Sequence, residues 1–133
     1  MASDFKITAT QETGKIPVTV FHIQGDIDTN TYQQLQDAAR EAHDKGMNHL
    51  LLDLSDVNFV SSAGFRALHS IYTLLRESSD EAIGKGIMDG TYKSRHLKLL
   101  NPSNNVQMAL KTAGFDMYID SFDNRQKAIA SFS

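Results

Sequence analysis

The period of apolar positions changes several times along the chain, and each change marks a predicted element. Across residues 17–24, Val18, Val20 and His22 alternate with Thr19, Phe21 and Ile23, and the run is rich in β-branched residues. That pattern predicts a strand with apolar residues on both faces. A weaker strand at residues 5–9 pairs with it through a turn near Gly14 and Lys15. The segment Gly25-Asp26-Ile27-Asp28-Thr29-Asn30 is dense in turn and cap residues and ends the alternation. From residue 31 to 45 the period becomes helical, with Leu35, Ala38, Ala39 and Ala42 on one face and Gln33, Gln34, Arg40 and Glu41 on the other. Gly46 follows as the glycine beyond the helix end.

Residues 49–54 contain three consecutive leucines. So short an apolar run predicts a strand buried on both faces, under helices. Residues 55–61 read as a loop with two apolar anchors, Val57 and Phe59. A helix over residues 62–77 carries Phe65, Leu68, Ile71, Tyr72 and Leu75 as its inner stripe. Residues 78–94 are polar and hold Gly84, Gly86 and Gly90, which predicts a long connection with a short helix inside. Residues 97–100 form a short strand. Asn101-Pro102-Ser103 is a turn and cap, and residues 106–113 are a helix with Val106, Ala109, Leu110 and Ala113 inward, stopped by Gly114. A short strand at 117–119 and a terminal helix at 124–132 complete the chain. Strands and helices alternate, so the expected class is α/β with a mixed sheet.

Length fits one domain over residues 1–133. The absence of cysteine excludes disulfide frameworks, thiolate zinc sites and thiol catalysis. With 41% hydrophobic and 22% charged residues the balance is that of an ordinary globular chain. A net charge of −3 with no basic stripe argues against a nucleic-acid partner. The first six residues carry no apolar run fit for a signal peptide, and no stretch approaches the ~20 apolar residues of a membrane span. The expected location is the cytoplasm, without membrane insertion.

Four carboxylates, Asp26, Asp28, Asp53 and Asp56, sit at or beyond strand ends, where open α/β sheets bind ligands. Together they would suit Mg²⁺. Equally, Asp28 can cap the first helix, and Asp53 and Asp56 can organise the following loop; no metal or cofactor is expected. The histidines His22, His43, His49, His69 and His96 show no HExxH spacing, and no G-x-S-x-G elbow is present. The Gly84, Gly86, Gly90 spacing lacks the Lys-Ser/Thr of a phosphate loop. Val60-Ser61-Ser62-Ala63-Gly64-Phe65 differs from these, because it sets two hydroxyls where a loop becomes a helix. One reading is helix capping, without the acidic partner of a capping box. The other is phosphorylation, since a helix start tolerates a phosphate. Gly64, lacking a side chain, would let another protein approach closely.

Three stretches together resemble the STAS family, the anti-sigma factor antagonist domains. Gly25-Asp26-Ile27-Asp28 is similar to the family's segment before its first helix. The run Leu51-Leu52-Asp53-Leu54-Ser55-Asp56-Val57-Asn58-Phe59-Val60-Ser61-Ser62-Ala63-Gly64 is similar to its central strand and phosphorylation motif. Leu99-Leu100-Asn101-Pro102-Ser103, with Val106, Leu110 and Gly114, is similar to its fourth strand and the next helix. The resemblance spans residues 5–132. It implies a four- to five-stranded mixed β-sheet with about four to five α-helices and no enzymatic activity. It implies a bacterial phosphoprotein that regulates transcription by partner switching. Ser62 falls on the family's phosphate acceptor. Ser61 stands where the family has Asp, which makes it the second candidate acceptor, and Ala63 stands where a second hydroxyl is common. The implied partners are an anti-sigma factor with Ser/Thr kinase activity and a PP2C-type phosphatase. Asp28, Asp56, Ser61, Ala63 and Gly64 are the expected partner-binding residues. An alternative is a STAS scaffold that is not phosphorylated, or a subunit of a larger sensory or transporter assembly.

Overall fold

The alternating run forms the strand it predicts. In the computed structural model, which describes residues 5–75 and 94–132, β1 (Lys6–Thr13) and β2 (Pro17–Gln24) pair antiparallel, with Thr13 opposite Pro17. There follow α1 (Tyr32–Asp44), β3 (Leu50–Asp56), α2 (Ser62–Leu75), β4 (Leu97–Leu100), α3 (Asn104–Ala113), a 3-10 turn (Phe115–Met117), β5 (Ser121–Phe122) and α4 (Arg125–Ser131). The predicted connection over residues 78–94 lies outside the described residues, apart from Ser94, as does the end of the predicted second helix.

The strand order is β1-β2-β3-β4-β5, and all pairs after the first are parallel. A sheet built outward in one direction with crossovers of constant hand places those crossovers on one face. Here α1, α2 and α3 pack on one face through Leu35, Ala39, Ala67, Leu68, Val106 and Leu110, against Phe21, Ile23, Leu50, Leu52 and Leu54. The opposite face, Val18, Val20, Leu51 and Leu100, is covered by α4 through Ala128, Ile129 and the following Phe132. The leucine run of β3 is therefore buried on both sides, as its unbroken apolar character requires. The α/β class and the mixed five-stranded sheet agree with the expectation.

Some local expectations are corrected. No strand forms at residues 117–119. Gly114 takes a left-handed φ of 83° and turns the chain, so Phe115 and Ile119 enter the core from a tight turn. The pairing with β4 is made by Ser121 and Phe122 instead. A three-residue apolar run has no period with which to distinguish a turn from a strand. Ala113 is exposed, because α3 turns its Val106 and Leu110 inward and its last residue away. Phe65 is half-buried and stacks on Phe115, with ring centroids 5.4 Å apart.

Candidate functional site

The ends of β2 and β3 continue as two loops that remain paired. Gly25 N–H donates to the Asp56 carbonyl (3.1 Å), Ile27 N–H to the Phe59 carbonyl (3.0 Å) and Ser61 N–H to the Ile27 carbonyl (2.9 Å). Ile27 and Val60 form an isolated parallel bridge. Ile27, Val57 and Val60 point inward and are buried, so both loops have an apolar floor. Phe59 points out and is 54% exposed. Its expected role as an inward anchor is thus corrected. Val57 N–H bonds back to the Leu54 carbonyl, and this turn breaks the two-residue alternation that Val57 and Phe59 would share in a strand.

This floor fixes the start of α2. Ser61 Oγ accepts the Gly64 N–H (3.2 Å), and the Ser61 carbonyl accepts the Phe65 N–H (2.9 Å). Ser61 is therefore the helix cap. Ser62 is the first residue of α2 and is exposed. Ala63 and Gly64 are buried. A Cβ at Gly64 would collide with the Ile27 carbonyl oxygen and reach within 2.7 Å of Val60 Cγ1. The missing side chain thus admits the protein's own Ile27 loop, and neither Ala63 nor Gly64 offers much surface to an outside molecule.

The aspartates take separate places around this helix start. Asp28 is half-buried, and its Oδ1 accepts the Asn30 N–H (2.9 Å). It organises the turn before α1 rather than capping the helix, a task shared with Thr31. Thr31 Oγ1 donates to the Asp26 carbonyl (2.7 Å) and accepts the Asp28 N–H (2.9 Å). Asp53 accepts the N–H and hydroxyl of Ser55 at 3.1 and 2.8 Å. Asp53 and Asp56 also flank His22. Its Nδ1 is 3.0 Å from Asp53 Oδ2, and its Nε2 is 2.8 Å from Asp56 Oδ2. The Asp53 hydrogen bond, with help from Asp56, holds the His22 pKa above its ordinary value of 6.5, against the opposing effect of burial. Burial pushes Asp53 upward, but the bonds from His22 and Ser55 outweigh it and leave its pKa below 3.8.

The four carboxylates do not converge, and among the described residues no group of three His, Cys, Asp or Glu side chains is placed to hold a metal ion. A pocket of about 560 Å³, lined by Thr19, Lys45, Met47 and His49 among others, contains none of the residues at the helix start. Among the described residues no helix is long and apolar enough to cross a membrane. At this junction of two loops and a helix, Ser61 and Ser62 begin α2 against the Ile27 loop that leads into Asp28, while the Asp56 side chain turns to His22 and Phe59 faces solvent. The inward Ile27, the knitting Thr31 and the bridging His22 were not legible as part of it. Their contacts join positions up to 34 residues apart in the chain. Ile27 and His22 left only a trace in the pattern, an apolar residue within a turn and a polar one within a strand.

The sequence matches the model of the STAS domain over residues 8–81, more than half of the chain. Among curated proteins none matches it significantly. Solved structures share the fold. A candidate anti-sigma factor antagonist from Thermotoga maritima superposes with a TM-score of 0.70 at 15% identity, covering 93% of each chain. An anti-sigma factor antagonist from Mycobacterium paratuberculosis gives 0.70 at 20% identity, covering 96% of this chain and 94% of that one. The Bacillus cell fate determinant SpoIIAA in its phosphorylated form gives 0.58 at 16% identity, covering 92% and 96%.

Proposed function

Because this chain belongs to the STAS domain family, we propose that it is an anti-sigma factor antagonist whose switch is Ser62. It acts as a single STAS domain over residues 1–133, in the bacterial cytoplasm, by binding rather than by catalysis. With Ser62 free, it binds an anti-sigma factor that is also a Ser/Thr kinase, and so frees a sigma factor. Phosphorylation of Ser62 separates the pair, and a PP2C-type phosphatase restores the binding form.

The observation that supports this reading is the division between the two serines. Ser61 is engaged as the cap, as the Asp of the family pattern can be. Ser62 is exposed on the first turn of a 14-residue helix whose start is fixed by the buried Ile27 and Val60. Ser62, Asp28, Asp56 and the exposed Phe59 supply the contact surface, while Ala63 and Gly64 set the helix in place beneath it. A phosphate adds about −1.5 to −2 charges at neutral pH. Within a desolvated interface already carrying Asp28 and Asp56, that charge is repelled and cut off from water. An interaction change of about 3 kcal/mol is roughly a hundredfold in affinity. No rearrangement of the fold is required.

The test uses the purified chain, ATP and a candidate anti-sigma kinase. Intact mass is expected to rise by one phosphate, and Ser62→Ala is expected to abolish the gain. In a pull-down, Ser62→Asp is expected to lose the anti-sigma factor that the wild type captures. Phosphorylation persisting at the same rate in Ser62→Ala and lost in Ser61→Ala moves the switch to Ser61. No phosphorylation by any candidate kinase supports the scaffold reading instead.

A further inference from the structure

The role of Ser62 leaves His22 unused, yet His22 bonds Asp56, the last residue of β3 before the loop that leads to Ser62. The β2–β3 register slips here, because His22 pairs with Asp53 while Gln24 pairs with Asp56. Two steps along β2 meet three along β3, so β3 carries an extra residue as a bulge. The His22 ring spans that bulge, with Nδ1 at Asp53 on one side and Nε2 at Asp56 on the other. Gly25 is bonded to the backbone of Asp56 itself, and immediately past Asp56 the chain enters Val57–Ser61, the loop whose backbone is paired with Ile27.

A neutral imidazole has one N–H and one lone pair. Placed between two carboxylates it donates to one and turns its lone pair toward the other, a repulsive contact at these distances. The imidazolium donates to both. The geometry around His22 is therefore that of the protonated ring.

We propose that His22 is a positioning residue for the Ser62 switch: its imidazolium latches Asp56 to Asp53 across the β3 bulge, and loss of the proton loosens the loop that presents Ser62. Its consequence for partner binding rests on the reading of Ser62 given above, whereas the latch is a property of this chain alone.

The groups facing the ring can be named element by element. β3 contributes Asp53 and Asp56. β1 contributes Thr8, directly opposite His22, and Lys6, opposite Gln24. β4 places Leu100 beside Asp53. From α4, Arg125 reaches Thr10 but is paired with Glu12 at 2.9 Å. Among these, the two carboxylates raise the affinity of the ring for its proton. Asp56, with a side chain more than half exposed, is the arm free to leave.

An NMR titration of the unphosphorylated full chain between pH 5.5 and 9 tests the latch without any partner. The ring signal of His22 is expected to titrate with a midpoint above 6.5. The amide signals of Phe59, Ser61 and Ser62 are expected to move with the same midpoint. Asp56→Asn is expected to lower the His22 midpoint, because one of the two carboxylates that favour the proton is gone. In His22→Gln the step in the loop amides is expected to vanish. Loop amides that stay flat while His22 titrates overturn the latch, and so does a midpoint unmoved by Asp56→Asn. The pull-down is then repeated at pH 6 and pH 8.5. Capture several-fold weaker at pH 8.5 for the wild type, with little change for His22→Gln, supports the consequence, and equal capture by the wild type at both pH values overturns it. Failure to capture the anti-sigma factor at either pH counts against the Ser62 reading, while the NMR result still decides the latch.

Discussion

Two adjacent hydroxyls have different work at the start of α2. Ser61 satisfies a backbone donor of the first turn, and Ser62 lies outside that network with its side chain in solvent. Replacing a cap by alanine costs about 1 kcal/mol, whereas an exposed substitution away from such a feature stays within about 0.5 kcal/mol. Ser61→Ala is therefore expected to lower stability by about 1 kcal/mol and Ser62→Ala to leave it nearly unchanged. Urea unfolding of both variants measures this, and equal losses would contradict the division. The pair was legible in the sequence as a loop-to-helix boundary. Which serine caps was not, because moving the helix start by one residue exchanges their roles and composition does not set that residue. Phe59 failed for a related reason, since a single backbone turn at Val57 reversed the face it was expected to take.

At the scale of elements, the site is a junction of two loops and a helix held by close packing. Gly64 is where α2 meets the Ile27 loop. Gly64→Ala is expected to destabilise the fold by roughly 1–3 kcal/mol, as overpacking of a well-filled site does. Thermal unfolding would show the loss, and an unshifted transition would mean that the Ile27 loop can yield. The β2–β3 junction carries a pH dependence whose sign follows from its two groups. His22 has a raised pKa in the folded state, so its stabilising contribution is complete below 6.5 and is lost as pH rises through the raised value. Asp53 has a lowered pKa, so its contribution is present above 3.8 and is lost as pH falls through the lowered value. Wild-type stability relative to His22→Gln is thus expected to be greatest between these limits and to narrow toward alkaline pH. Urea midpoints measured from within these limits up to alkaline pH test it, and a difference that stays constant as pH rises through the raised His22 value would refute it. Most elements were legible because their periods are long enough to read. β2 and β4 begin and end where the pattern placed them. The turn that stands in place of the strand expected at 117–119 was not legible, and the sheet's last pairing passed to Ser121 and Phe122, which carry no alternation of their own.

For the molecule as a whole, the sheet requires cover on both faces, and the cover is unequal. Among the described residues three helices close one face, while α4 and Phe132 close the other. Phe132 is fully buried, and Lys98 beneath it is buried as well, donating to the Ser131 carbonyl and hydroxyl at 3.1 and 3.0 Å. Burial lowers the pKa of Lys98, with Asp120 acting in the opposite sense. The terminal segment is therefore a structural layer. Phe132→Ala is expected to cost about 3 kcal/mol, the scale of a large aromatic removed from a core. Urea unfolding would register it, and a loss below about 0.5 kcal/mol would show that the far face needs no such cover.

The sequence by itself determined the α/β class, the principal strands, the helix stripes and the place of the two serines. Each of these is written in local period and in cap or turn chemistry, which act between neighbours in the chain. The tertiary structure alone decided that Ser61 caps and Ser62 is presented, that Phe59 faces outward, and that Gly64 serves the Ile27 loop. It also decided that His22 sits between Asp53 and Asp56. These depend on strand register and on contacts between segments far apart in sequence, which hydrophobic period and turn propensity do not encode.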